Sequence, residues 1–157
     1  MCIGEIVPNY YQGRFKPRNP EKYKGDPTNI IYRSGWELKL MSYLDKHPHV
    51  TKWCSEEIII PYRSPIDGRM HRYFPDFYVE QINKEKRKEK VLIEVKPYAQ
   101  TQPPKVQNTK KNKPTKRYLN EVKTWGINSA KWKAAEEFCK DRGYIFRIIT
   151  ENELGIK

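Results

Sequence analysis

Two carboxylates and a lysine stand in two short segments whose residue types could carry out hydrolysis. Asp76 lies in a Phe-Pro-Asp-Phe run, and 18 residues later Glu94 and Lys96 flank a single valine. Carboxylate oxygens with open coordination positions are what Mg²⁺ prefers, and Mn²⁺ can substitute for it. A lysine beside such an ion would stabilise an attacking hydroxide or the negative charge that develops on a phosphate. This pattern predicts metal-assisted, in-line hydrolysis of a phosphodiester, with Asp76 and Glu94 as metal ligands and Lys96 as a catalytic group.

The predicted strands bring these groups together. Residues 91–95 are apolar and typical of a strand at the centre of a sheet. Alternation along this strand puts Glu94 and Lys96 on one face, while Val95 points away. Asp76 lies on or beside a neighbouring predicted strand, so two carboxylates and an ammonium would meet at one end of the sheet. Such a cluster is costly to bury unless an ion or a substrate balances it.

Simpler interpretations of the same residues stay open. Asp76 could cap a turn after its proline, and Glu94 and Lys96 could form an ordinary exposed pair. Glu37 stands three residues after Ser34, so it could serve only as the partner in a capping box. Glu57 could add a further carboxylate to the site or could lie on the surface.

The charge of the chain points to a polyanionic partner. Its 31 Lys and Arg against 19 Asp and Glu give a net charge of +12, which favours DNA through contacts with phosphates. No apolar run approaches the roughly 18 residues of a membrane span, and no Walker-type loop is visible. We therefore expect neither a membrane nor a small-molecule cofactor as a partner. Arg72 could equally be an ordinary exposed residue of a strand, and the lysines of residues 97–115 are more typical of a solvated loop. The candidate DNA-binding residues are Arg33, Arg72, Lys105, Lys110, Lys111 and Lys113.

The elements alternate between helix and strand, which predicts a mixed α/β domain with a central sheet flanked by helices. Residues 1–28 are rich in Pro, Gly and basic side chains and are assigned to an extended basic arm; residues 29–157 are assigned to one domain. Predicted helices cover 31–46, 116–123 and 129–142, and predicted strands cover 52–62, 71–80, 91–95 and 144–150. The strands 52–62 and 71–80 are expected to form a hairpin.

The Pro-Asp…Glu-x-Lys arrangement resembles the PD-(D/E)XK nuclease superfamily, and the helix that opens at Arg33-Ser34-Gly35-Trp36-Glu37 strengthens the resemblance. The chain looks like the TnsA-type transposon endonucleases and, more closely, the head-completion nucleases of T-even-type tailed phages, from about residue 16 to residue 151. The segments that carry the resemblance to the phage family are residues 19–25, 30–34, 62–65 and 71–76.

This resemblance implies a restriction-endonuclease-like core in which Glu37, Asp76, Glu94 and Lys96 fall on catalytic positions. It also implies a DNA endonuclease or DNA-end-processing nuclease that acts in the host cytoplasm during phage head completion. Portal or neck proteins would be its partners, and it could be incorporated in the virion head or neck. The alternatives are a non-catalytic virion protein that binds DNA or the portal on the same fold, and a junction-resolving or repair nuclease.

Overall fold

The strands and helices of the chain follow one another in the mixed order expected of an α/β domain. The computed structural model describes residues 12–106 and 113–156, so Lys110 and Lys111 lie outside the described residues. The elements are β1 (Gly13–Phe15), β2 (Ile30–Tyr32), α1 (Gly35–Lys46), β3 (Val50–Ser55), β4 (Ile60–Arg63), β5 (Met70–Tyr73), β6 (Phe77–Ile82), β7 (Lys88–Val95), α2 (Lys116–Arg142), β8 (Ile145–Ile149) and α3 (Glu151–Leu154).

Four strands form the central sheet in the order β3-β6-β7-β8. β6 is antiparallel to both β3 and β7, whereas β8 runs parallel to β7. Val91, Leu92 and Ile93 of β7 are all buried, because elements cover both faces of this central strand. Val91 and Ile93 face a cavity shared with α1 and α3, and α2 packs against β8. The predicted mixed α/β fold is confirmed.

The predicted long hairpin is wrong in one respect: each of its two strands is broken, and the halves join different sheets. Residues 52–62 divide at Glu56, whose φ of 55° lies in the left-handed region and ends the pairing of β3. Residues 71–80 divide around Asp76, whose carbonyl accepts a hydrogen bond from the Glu56 amide at 3.2 Å. The outer halves pair as the separate β4–β5 ribbon, and the inner halves pair as β3 and β6.

Residues 13–28, which the sequence assigns to an extended arm, are packed against the domain. β1 pairs with β2, and the Tyr23 ring lies edge-on to Trp53 with centroids 4.8 Å apart. Asp45 of α1 is buried, and its carboxylate accepts backbone hydrogen bonds from Arg18 at 2.8 Å and Asn19 at 3.0 Å. This part of the chain therefore completes the core beside β3 instead of extending away from it.

α2 is a single helix of 27 residues, where the sequence predicts two shorter ones. The Thr115 side chain caps its start, and Gly143, with a φ of 71°, ends it in the left-handed conformation as the sequence predicts. Gly126 lowers the helix propensity of the middle of the helix. Gly126 lies against the Pro65 ring, which would be 3.7 Å from a Cβ at this position. Packing on the connection between β4 and β5 therefore helps to keep the helix continuous here. None of the helices in the described ranges is both long enough and apolar enough to cross a membrane.

Candidate active site

The site lies where β6 begins and β7 ends, since these antiparallel strands place the two positions side by side. Phe77 pairs with Ile93, so Asp76, one residue before β6, comes opposite the end of β7. The Asp76 Oδ2 atom accepts a hydrogen bond from the Val95 amide at 2.7 Å. The Lys96 amide donates to the Ile149 carbonyl of β8 at 2.9 Å, which holds the backbone just beyond β7 in the sheet. The end of one sheet thus positions both sequence segments.

Glu94 is the most deeply buried acid of the site, with 5% of its surface exposed. The Tyr73 hydroxyl donates to Glu94 Oε2 at 2.7 Å, and Lys96 Nζ lies 3.5 Å from Glu94 Oε1. Each carboxylate oxygen therefore has its own partner, one neutral and one charged. Tyr73 itself is buried, and burial followed by the neighbouring Glu94 charge raises the pKa of its hydroxyl, so it remains a proton donor to the carboxylate.

The electrostatics of the site favour a bound cation. Burial, and next the charge of Glu94, raise the pKa of Asp76 well above its usual range; the charge of Glu37 adds to this effect, and Lys96 opposes it. Lys96 and Arg33 do not balance the carboxylates Glu37, Glu56, Asp76 and Glu94, which is the condition under which a metal ion is favourable. In residues 12–106 and 113–156, no three His, Cys, Asp or Glu side chains are grouped closely enough to hold a metal by themselves. The arrangement suits an ion such as Mg²⁺, which binds through one or two carboxylates and keeps several waters.

Glu37 reaches the site from the first turn of α1. The Ser34 hydroxyl accepts the Glu37 amide at 3.1 Å, which is the predicted N-cap. The Glu37 carboxylate also accepts a hydrogen bond from the Arg33 amide, so backbone donors hold it at the start of the helix. Burial raises the pKa of Glu37, and the nearby Glu56 charge also raises it. The side chain thus lies among the other acids of the site as well as at a helix start.

An open cavity of about 370 Å³ gives access to these groups. Arg33 stands at this cavity and forms an ion pair with Glu56, which sequence reasoning missed. Glu57, the carboxylate considered from the sequence, does not line the cavity. It lies beside Gly25 instead, with its Oε1 atom 3.5 Å from where a Cβ atom at position 25 would stand. The residues that line the cavity are Arg33, Ser34, Trp36, Glu37, Asp76, Val95, Lys96, Pro97 and Gln100.

Among the other candidate DNA-binding residues, Arg72, Lys105 and Lys113 do not line this cavity. Arg72 is exposed on β5, directly before Tyr73. Lys105 and Lys113 are exposed on either side of the undescribed residues 107–112, which include the remaining two candidates, Lys110 and Lys111. Their roles stay predictions, as do the catalytic roles of Glu37, Asp76, Glu94 and Lys96.

The fold and the site together match a known class of enzyme. Residues 47–151 match the N-terminal domain of the TnsA-like endonucleases, and the chain belongs to this family. It is accordingly an endonuclease of the PD-(D/E)XK type, with DNA as its substrate. The matched residues include Asp76, Glu94 and Lys96 but begin after Glu37.

A relative from a bacteriophage matches a larger part of the chain. The chain is 41% identical over 144 residues to the head completion nuclease of Enterobacteria phage T4, an alignment that covers 92% of this chain and 93% of that protein. The resemblance predicted from the sequence is confirmed, and it extends across α1 as well as the sheet.

Proposed function

We propose that this endonuclease depends on a divalent metal and that Asp76, Glu94, Lys96 and Glu37 form its catalytic centre. The observation that carries the proposal is the meeting of three of these groups at one sheet end. Asp76 is held by the Val95 amide at 2.7 Å, and Glu94 lies 3.5 Å from Lys96. Two adjacent carboxylates beside an ammonium, next to an open cavity, are suited to hydrolysis of a phosphodiester.

Asp76 and Glu94 would hold the metal, with Mg²⁺ as the expected ion and Mn²⁺ as a substitute. When bound there, the ion would supply positive charge to the phosphate oxygens and lower the pKa of a coordinated water. Val95 and Tyr73 each donate one hydrogen bond to these carboxylates, which holds their remaining oxygen lone pairs in fixed directions. The chain's own contribution is therefore a pair of oriented carboxylates.

Lys96 would act on the reacting atoms. About a quarter of its side chain is exposed, so its ammonium can contact both Glu94 and a phosphate in the cavity. It would stabilise the hydroxide that attacks phosphorus and the negative charge that develops on the phosphate. A water oxygen forms the new bond to phosphorus, the bond to the leaving sugar oxygen breaks in line with it, and no covalent enzyme intermediate forms.

Arg33 and Glu37 would complete the centre on the side of α1. Arg33 is at the cavity and is paired with Glu56, a carboxylate that a DNA phosphate could replace as the partner of the guanidinium. Glu37 lies close enough to Asp76 for its charge to raise the pKa of that group, which supports a role in which its carboxylate would interact with a bound ion or water.

The biological role that we propose follows from the phage relative, whose name is head completion nuclease. The enzyme would trim or cut packaged DNA in the host cytoplasm as DNA-filled heads are completed. The support is the identity of 41% over nearly the whole of both chains. In this role the partners besides DNA would be portal or neck proteins, and the protein would be incorporated in the head or neck of the virion.

A cleavage assay on supercoiled plasmid and linear duplex, with Mg²⁺, Mn²⁺ or EDTA, tests the enzymatic part. We expect cutting only with a metal and its loss in Asp76→Ala and Lys96→Ala, because each variant removes a group from the catalytic centre. The matched controls Asp141→Ala and Lys140→Ala, which change exposed residues near the end of α2, should cut normally. Cutting in EDTA would refute the metal dependence. Normal cutting by Asp76→Ala or Lys96→Ala would refute the site, and no cutting of either DNA by folded protein would favour a structural virion protein.

A further inference from the structure

The β4–β5 ribbon stands apart from the central sheet and has one covered face. Tyr62 and Tyr73 are buried on this face, and the Lys131 amine of α2 lies 5.8 Å and 5.6 Å from their ring centroids. α2 therefore supports the ribbon from behind, as its packing on β4 also shows. Because side chains alternate along a strand, Pro61 and Arg63 of β4 and Met70 and Arg72 of β5 point to the opposite face.

The opposite face of the ribbon is basic and exposed. Arg63 is paired in register with Met70, and Pro61 with Arg72, so both arginines point outward; Arg69 is exposed in the turn. In the described part of the chain, the guanidinium groups of Arg69 and Arg72 make no hydrogen bond or ion pair. Met70 is 56% exposed, and Phe74, just beyond the ribbon, is 41% exposed. Basic groups interspersed with exposed apolar ones are the composition of a surface that binds DNA.

The tip of the ribbon is held in one conformation by its own contacts. Arg63 Nη1 donates to the Gly68 carbonyl at 2.6 Å, and Gly68 adopts a φ of 69°. The acid of the tip, Asp67, accepts the Arg69 amide at 2.9 Å and contacts His71 at 2.8 Å. A rigid element loses little conformational entropy when it binds, and the one carboxylate is already engaged by local partners.

We propose that the β4–β5 ribbon is the DNA-docking element of the enzyme and inserts its exposed face into the major groove beside the cut site. The inference rests on the proposed function, to which it adds the surface that holds the substrate. A two-stranded antiparallel ribbon fits the roughly 12 Å width of the major groove. Arg69 and Arg72 are the groups that contact guanine edges and the neighbouring phosphates, and Met70 and Phe74 contact apolar base edges.

The chain connects this ribbon directly to the catalytic centre. Tyr73, the last residue of β5, donates to Glu94, and Asp76 follows three residues later. A duplex seated on the ribbon would therefore present its backbone to the cavity that contains these groups. The ribbon would determine where along the duplex the enzyme cuts, and α2 would fix the ribbon relative to the sheet.

The test compares two double variants that each remove two positive charges. Arg69→Ala/Arg72→Ala alters the ribbon, and Lys84→Ala/Arg87→Ala alters exposed residues of the β6–β7 turn, which lies at the other end of the sheet from Asp76. Duplex binding is measured by fluorescence anisotropy in EDTA over a range of salt concentrations, with thermal unfolding as the check on folding. We expect the ribbon variant to bind duplex at least about fivefold more weakly. The slope of the logarithm of its binding constant against the logarithm of salt concentration should be shallower by about one or more. The turn variant should bind like the unaltered protein.

Unchanged binding by the ribbon variant, or an equal loss in both variants, would overturn the proposal. A duplex in which 7-deazaguanine replaces guanine lacks the N7 acceptor of the major groove; we expect weaker binding to it by the unaltered protein. Equal binding to both duplexes would overturn the major-groove assignment. These outcomes are separate from the cleavage test. Normal cutting by the ribbon variant would refute only the docking role of the ribbon, whereas metal-independent cutting would refute only the metal dependence of the catalytic centre.

Discussion

Replacing Tyr73 by phenylalanine tests whether the buried hydroxyl holds Glu94 in place. The change removes one oxygen atom and leaves the ring between Lys131 and the core. The lost hydrogen bond is short, at 2.7 Å, and both residues are buried. A hydrogen bond to a charged group contributes about 1.5–3 kcal/mol, so we expect the free energy of unfolding to fall by about that amount near neutral pH.

The same change should slow cleavage, because Glu94 would lose one of its two fixed partners. Removal of a group that orients a metal ligand typically lowers metal affinity or activity by about 10- to 100-fold. Urea unfolding measures the first effect. Cleavage of plasmid at several Mg²⁺ concentrations measures the second, and Tb³⁺ luminescence reports on cation binding independently of cutting. We expect weaker cation binding together with slower cutting.

Tyr62→Phe is the matched control, since Tyr62 lies on the same covered face of the ribbon and contacts the same lysine. In the described ranges its hydroxyl makes no hydrogen bond, so its loss should change the free energy of unfolding by less than about 0.5 kcal/mol and leave cutting unchanged. Equal effects of the two substitutions on stability and on cation binding would refute the positioning role of Tyr73.

Other predictions concern the packing of the N-terminal segment, the thiols and a helix end. Asp45→Ala should lower the free energy of unfolding by about 2–4 kcal/mol in urea titrations, because two backbone donors lose a buried carboxylate; Asp141→Ala should not. Cys54 and Cys139, whose pKa burial raises to about 11, should resist alkylation at pH 8, where roughly one thiol in a thousand is ionised; peptide mass spectrometry that finds them modified in native protein would contradict this. Gly143→Ala should cost about 1 kcal/mol through its left-handed φ, and an unchanged unfolding midpoint would count against that cost.

Several features of the site follow from local sequence alone. The apolar run of β7 identifies a buried strand, and alternation along it places Glu94 and Lys96 on one side. The Ser34 cap and the glycine after α2 are local signals for helix ends, and both appear in the structure. These inferences succeed because each depends on residues a few positions apart, whose relative placement the period of a strand or helix determines.

The tertiary structure decided the features that depend on pairing between distant segments. The sequence left open whether Glu57 adds a carboxylate to the site or lies on the surface. In the structure its neighbour Glu56, left-handed at the end of β3, forms the ion pair with Arg33. The predicted strand 71–80, which contains Asp76, is continuous in its residue pattern, yet its two halves join different sheets. The pairing of β5 with β4 and of β6 with β7 shows which sheet each half joins.

The partner of Glu94 illustrates the same limit most clearly. Nothing in the sequence around Tyr73 distinguishes it from the other tyrosines, and it lies 21 positions from the acid to which it donates a hydrogen bond. Composition and spacing determined the class of fold and the three residues that meet at the end of the sheet. The orientation of the two carboxylates was decided by hydrogen bonds from Tyr73 and from the Val95 amide, because a hydrogen bond between distant segments leaves no periodic trace in the chain.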